Sequence, residues 1–423
     1  MKRSFQRLAF GLFVVFALAL LAAACGDDEE TGAGEQTKFD GAIKIGILAD
    51  LSGPIGGNPN LLSTIRGFET GVTDINADGG VKVGGKRYEI QIRKVDSQSN
   101  PTAAVAGATQ LVQEGVLGIS INTCAFFPQA YAQIKTPGTI MAWTNCPPGL
   151  NLLDKDVPGV YEGVDKNPLL FGAIDFTLPI LAGWLNQVKQ TDPTIKSMAF
   201  IADDTNLGKA QGAVIPAAAL QAGLEFKGAT YFPAGTTDMS TFLTTVKAQN
   251  ADVVYMSSSG NLDAPRQFMQ LGVAPRLMVP GLRPFDMTTI GNIGTTKVYM
   301  MDWRLPYHKE VAPKEFQDEV AKLGTLDGGA SVQVGFAIAF YDFAFLLKQA
   351  IEKAQTTTDA AAVAKAMVGL KVDSFMGGEV IMEADHAARG TTGMILTTTD
   401  KFTVYVFENA RSIKPLDTFT VNR

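Results

Sequence analysis

The sequence predicts an α/β fold of two doubly wound parallel-sheet lobes, and three observations carry that expectation. Strand-like and helix-like segments alternate in short steps, as parallel strands require because each one needs a crossover. The alternation runs over residues 42–143, pauses, and restarts over residues 196–281. Beyond an apolar leader about 385 of the 423 residues remain, more than a single core usually organises, so two lobes follow.

The elements are read in order. "AIKIGILADLSG" opens with a nearly continuous apolar run at 42–49, the mark of a strand covered on both faces, and enters a turn-rich loop at 51–57. Ile65, Phe68, Val72 and Ile75, spaced by three and four, predict a helix over 61–76. The glycines of "ADGGVKVGGKRYEIQIRKVDS" punctuate a turn before the alternating strand "YEIQIRKV". A helix near 101–114 leads to the strand "VLGISIN", and one near 128–135 leads to "GTIMAW". In the second unit "SMAFIADD", "FKGATYF", "ADVVYMSSS" and "RLMVPG" are strands separated by helices near 208–222, 239–249 and 263–271. Residues 330–353 predict a long helix carrying Phe336, Phe340, Tyr341, Phe343 and Phe345, apolar nearly all round and therefore packed inside a lobe. "GEVIME" and "GMILTTTDKFTVYVFENARSI" read as short antiparallel strands.

Charge and motif content exclude several functions. A net charge of −6 and a pI near 5.2, with no clustered Lys and Arg, argue against nucleic acid as a partner. The only histidines, His308 and His386, are far apart in sequence, which excludes a multi-histidine metal site and disfavours a histidine-based hydrolase. There is no GxSxG elbow and no GK[ST] loop, and "ILADLSGPIGG" lacks the spaced glycines of a dinucleotide fingerprint. The expectation is a non-enzymatic chain with no cofactor and no metal.

The leader is informative. Lys2, Arg3 and Arg7 precede an uncharged apolar run at 8–24, short against the roughly 20 residues of a membrane span and laid out as an export signal at 1–24. Ala22, Ala23 and Ala24 before Cys25 resemble the lipobox of bacterial lipoproteins, although the family prefers leucine where Ala22 stands and here Leu21 lies one place back. That resemblance implies acylation of Cys25, which becomes the first mature residue. Residues 25–40, acidic and rich in Gly and Thr, cannot bury a core and read as a tether. A secreted protein with an incidental cysteine, or an uncleaved anchor, is the alternative.

In succession, "IKIGILADLSGPIGG", "RGFETGVTDINADGGVKVGGKRYEIQIRKVDSQSNPTAAVAGATQLVQEGV", "AFIADDTNLGKA", "PAGTTDMSTFLTTVKAQNADVVYMSSSG" and "VPGLRP" resemble the type I periplasmic solute-binding proteins of ABC importers, in the branch that binds leucine, isoleucine and valine. The resemblance implies a flytrap of two lobes joined by a three-strand hinge, residues 41–160 and 285–355 forming one lobe and 161–284 and 356–423 the other. It implies an amino acid or related small carboxylate as solute, permease and ATPase subunits as partners, and an exported, membrane-tethered location. Because open α/β sheets bind ligands beyond the carboxyl ends of their strands, the candidate residues are Ser52 and Asn58; Thr123, Cys124 and Ala125; Trp143, Thr144 and Asn145; Leu207, within the loop at 203–207; Thr236; and Arg283 and Phe285. Carried over position by position, the family's carboxylate-binding serine or threonine falls on Thr123, with Thr144 and Asn145 next to it. Trp143, Phe126, Phe127, Phe285 and Trp303 offer flat apolar walls, with ordinary core packing as the alternative for each. Arg283 either clamps a ligand carboxylate or sits in a surface salt bridge. Leu207 and Thr236 replace the tyrosine and the acid of many amino-acid binders, which leaves an aromatic or aliphatic acid lacking an amine as a second ligand class. A ligand sensor on the same fold is the competing function. Cys124 and Cys146 end neighbouring strands on one edge, so a bridge between them is geometrically reasonable; two unpaired buried thiols are the alternative.

Overall fold

The computed structural model describes residues 38–53, 55–56, 58–157, 159–174, 177–257, 262–282, 287, 290–303, 334–375, 378–390, 392–398, 401–409 and 412–420. The leader, Cys25 and the tether up to residue 37 lie outside them.

The apolar run after Gly41 becomes β1 (Gly41–Ala49), flanked in parallel by β3 (Lys86–Asp96) and β4 (Gly118–Asn122). Both of its faces are covered, which explains why its sequence does not alternate. β2 (Val81–Val83) folds back on β3, and β5 (Met141–Thr144) and β6 (Leu170–Gly172) extend the other side. The order of this first sheet is β2-β3-β1-β4-β5-β6. One face carries α1 (Pro59–Ala77) and α8 (Val334–Ala354); the other carries α2 (Pro101–Gln113) and α3 (Phe127–Lys135). Of the aromatic residues expected in the core, Phe336, Phe340 and Phe343 of α8 are buried, whereas Tyr341 and Phe345 are half-buried, the Tyr341 hydroxyl donating to Asp74 at 2.9 Å. α1 and α8 approach closely because Gly67 and Gly71 offer no side chain; a Cβ on Gly67 would overlap the carbonyl of Ala337.

The second lobe has α4 (Leu178–Thr191), β7 (Ser197–Asp203), α5 (Asn206–Gln221), β8 (Glu225–Phe232), α6 (Ser240–Ala248), β9 (Val253–Ser257), α7 (Asp263–Gln270), β10 (Arg276–Pro280) and β11 (Lys297–Trp303). Its five strands are parallel, and an antiparallel meander continues them: β15 (Thr392–Thr398), β16 (Lys401–Asn409) and β17 (Ser412–Thr420). The order is β17-β16-β15-β11-β10-β9-β7-β8. α9 (Ala360–Met367) packs on α8, and the small sheet of β12 (Lys371–Asp373), β13 (Glu379–Met382) and β14 (Ala388–Arg389) joins the first lobe.

Sheet membership moves the expected lobe boundaries. β6, beyond residue 160, is still the edge strand of the first sheet, and β11, beyond 284, pairs with β10 in the second. Residues 360–389 stay with the first lobe rather than the second. Local periodicity reveals a strand but not the sheet it joins, which is settled by hydrogen-bonding partners distant in sequence. The chain thus passes between lobes after β6, between β11 and α8, and between β14 and β15. Two of these passages lie side by side: Gly172 and Ala387 form a parallel bridge, with the Gly172 N–H donating to the His386 carbonyl at 2.8 Å.

Candidate ligand-binding site

In the first sheet the chain steps from β1 to β3 on one side and then to β4 on the other, so the order reverses between β1 and β4; in the second it reverses between β7 and β9. Such reversals open crevices at the strand tips. The loops following β4 and β7 do meet. The side-chain amide of Asn206, the first residue of α5, donates to the carbonyl of Ala125 after β4. Nearby, Asn151 Nδ2 donates to the Ala210 carbonyl of α5 at 2.8 Å. These two hydrogen bonds run from lobe to lobe.

Local sequence fixes each loop. Thr205 caps α5, accepting from the Gly208 N–H at 3.3 Å and donating to Asp203. A side chain at Gly208 would overlap the Asp203 carbonyl, so the tight "DDTNLG" turn needs that glycine. In the first lobe Asp96 organises the loop after β1, its carboxylate accepting from the N–H groups of Leu51 (3.0 Å), Ser52 (3.2 Å) and Gln98 (2.7 Å) and from Ser52 Oγ (2.6 Å). Burial pushes the Asp96 carboxyl upward, but these hydrogen bonds outweigh it and hold the pKa below the usual value.

At the tip of β1 stands Asp50, only 2 % exposed. Its Oδ1 accepts from Thr123 Oγ1 at 3.0 Å and from the Ser97 hydroxyl. Burial raises its pKa, the hydroxyls of Ser97 and Thr123 and the backbone near Ser99 pull it back, and the Asp96 charge adds to the rise. The net shift is upward. Asp50 directly precedes the loop from which Ser52 and Asn58 were selected in the sequence and is not itself among those candidates.

The remaining candidates fall into distinct environments. Thr123 is buried and its hydroxyl proton is committed to Asp50. Thr144 is also buried; it donates to the Ile121 carbonyl at 2.8 Å and accepts from the Cys146 N–H at 3.0 Å, stitching the tips of β4 and β5. Cys124 and Cys146 are bridged, with Cα atoms 5.4 Å apart, which ties the same two loops. Ala125 and Asn145 are half-buried beside them, as are Phe126 and Asn58, whereas Phe127 is in the core. Ser52 is exposed and its hydroxyl is taken by Asp96. Leu207 is half-buried on the first turn of α5. The Thr236 hydroxyl closes its own turn on the Pro233 carbonyl at 2.6 Å. Arg283 and Phe285 lie outside the described residues, and for Trp303 only its place at the end of β11 is described.

Trp143 corrects the expectation. Its ring is fully buried, 5.1 Å from Phe343 and 5.5 Å from Phe68 between centroids, on the face covered by α1 and α8. It supports the strand tips from beneath as core packing and is no wall of the crevice.

Two doubly wound lobes, crevice loops gathered at facing strand tips, and hydrogen bonds running between the lobes define a two-lobe solute-binding protein of the flytrap type. The chain belongs to the periplasmic binding protein family, whose model matches residues 42–402. A relative, the Leu/Ile/Val-binding protein homolog 3 of Brucella melitensis, is 24 % identical over 333 residues, 77 % of this chain and 83 % of that protein. Among solved structures, an ABC transporter substrate-binding protein from Sphaerobacter thermophilus superimposes with a TM-score of 0.66 at 19 % identity, covering 90 % of this chain and 98 % of that one. A solute-binding protein of R. palustris in complex with benzoate gives 0.62 at 17 % identity, covering 84 % and 92 %. The role of the chain is binding, not catalysis, and family membership places it outside the cytoplasm.

Proposed function

We propose that this chain is the lipid-anchored receptor of an ABC importer, capturing an amino acid in the interlobe crevice and delivering it to a permease. The observation that carries the amino-acid reading is Asp50: an acid in the crevice floor, with a pKa raised by burial, is a site whose charge is completed by a ligand ammonium. It supplies from the first lobe the anion that Thr236 lacks in the second. With the hydroxyls of Thr123 and Thr144 committed, the ligand carboxylate falls to backbone N–H groups at the strand tips. The sequence similarity to a Leu/Ile/Val-binding protein supports the same class.

A thermal-shift panel of leucine, valine, benzoate and an uncharged amide tests the reading. Leucine or valine raising the melting temperature more than benzoate supports it. The reverse order favours the second ligand class, an acid lacking an amine, to which the apolar Leu207 and neutral Thr236 point. Lipid anchoring rests on Cys25 and its preceding small residues; mass spectrometry of the exported chain showing an acylated Cys25 supports it, and an unmodified thiol overturns it. Co-purification with a permease rather than with a sensor kinase separates transport from sensing.

A further inference from the structure

The first lobe holds a cavity of about 730 Å³ that the crevice does not use. It lies at the amino ends of β5 and β6, whereas the crevice loops follow the carboxyl ends of their strands. Its walls are α3, the segments entering β5 and β6, and α9. That volume falls inside the range of small-molecule sites, roughly 300–1,000 Å³.

Two features give the cavity a chemical preference. Ile140, Leu169, Ala364 and Val368 make an apolar interior, while Lys135, Lys166 and Lys365 stand on its lining against a single carboxylate, Asp165. Lys135 is paired with Glu162 at 2.9 Å. Lys166 and Lys365 make no direct salt bridge among the described residues, although the Lys166 charge reaches Glu162 and helps to lower its pKa; both lysines are exposed. Cations over an apolar floor suit an anion with a hydrocarbon body, because the head group gains charge-assisted hydrogen bonds while the body is removed from water.

His386 adds a third feature. It lines the cavity at a positive φ of 63°, a conformation that a non-glycine residue adopts only when its surroundings impose it. Here they do: Nδ1 lies 2.9 Å from the Leu170 carbonyl and the ring stacks on Phe171, with centroids 4.3 Å apart. Burial lowers its pKa, so the neutral ring donates from Nδ1 and keeps an acceptor at Nε2. The same residue's carbonyl joins the two adjacent interlobe passages through Gly172.

We propose that this cavity is a second binding site, separate from the interlobe crevice, for a small organic anion with an apolar body such as an aryl or medium-chain carboxylate. Isothermal titration of the full chain with phenylbutyrate is the test, with phenylbutanol and inorganic phosphate as the uncharged and the body-less controls. Phenylbutyrate is expected to bind with a Kd below about 1 mM and to lose about tenfold or more in affinity in the Lys166→Glu/Lys365→Glu variant. Both side chains are exposed, and an unchanged melting temperature will verify the variant's fold. Ala361→Phe, which places a ring in the cavity mouth from the exposed side of α9, is expected to weaken binding as well. Asp50→Asn, in the crevice, is expected to leave phenylbutyrate binding here unchanged. Absence of binding, loss that follows Asp50→Asn but not the lysine variant, or equal binding of phosphate or phenylbutanol would each overturn the proposal.

Discussion

Replacing Asp50 by asparagine separates stability from ligand recognition, and the structure gives the sign of each effect. Asparagine keeps a carbonyl oxygen at the position that accepts from Ser97 and Thr123, so these two hydrogen bonds survive while the charge is removed. In the unfolded chain Asp50 titrates near 4; in the fold its pKa is higher. Between the two values the native state holds a proton that the unfolded state has released, so stability falls as pH rises through that window. Below the unfolded value the acid carries no penalty. Asp50→Asn is therefore expected to be at least as stable as the parent at pH 7 and to lose this component of the decline above pH 4. For an amine-bearing ligand the effect is opposite, because removing one partner of a buried charge pair costs about 3–5 kcal/mol, a factor of about 10² to 5 × 10³ in Kd. Calorimetric melting across pH 4 to 8 and titration with leucine at pH 7 measure both. A clear drop in the neutral-pH melting temperature would refute the assignment of Asp50 as a buried cost. Unchanged leucine affinity would refute its role as the counter-ion.

Three further outcomes follow from the geometry. Trp143→Ala is expected to destabilise the first lobe by about 3–5 kcal/mol, because the ring fills a site between Phe68 and Phe343; a melting temperature near that of the parent in chemical or thermal denaturation would contradict its core position. Reducing the Cys124–Cys146 bridge, whose ends are 22 residues apart, is expected to cost about 3 kcal/mol, read as a lower denaturant midpoint under reducing conditions. The double variant Asn151→Ala/Asn206→Ala removes two side-chain hydrogen bonds between the lobes at the crevice, each contributing about 1 kcal/mol, and leaves that from the Leu178 N–H to Asp154 in place; it is expected to shift small-angle scattering of the free protein toward a larger radius and to speed ligand release, and an unchanged radius would show that these two contacts do not hold the lobes together.

The architecture was legible where a physical constraint acts on neighbouring residues. A strand covered on both faces must be apolar over its buried part, and β1 is from Ile45 to Ala49; α8 is apolar nearly all round its middle, and Phe336, Phe340 and Phe343 are in the core. The bridge was anticipated for the same reason, since two cysteines ending adjacent parallel strands are brought within reach by the sheet. Trp143 stays open in sequence between crevice wall and core because a four-residue strand with both faces covered carries no alternation to say which way a ring points. α4 falls in the pause between the two alternating stretches, although Thr177 and the proline of its first turn mark a helix start.

What stayed hidden is what distant residues do to one another. Asp50 looks in sequence like any acid after a strand; it becomes a buried, hydrogen-bonded acid only because Ser97, 47 residues away, and Thr123, 73 away, close over it. Asn206 fell within a loop already selected for the crevice, but its partner is a backbone carbonyl, as is that of Asn151. A carbonyl is present at every residue, so no complementary side chain advertises the contact. Recognition between lobes that uses side-chain amides on one side and bare backbone on the other is invisible to motif reading by construction, whereas the charge-based role proposed for Asp50 rests on one acid and is tested by a single substitution.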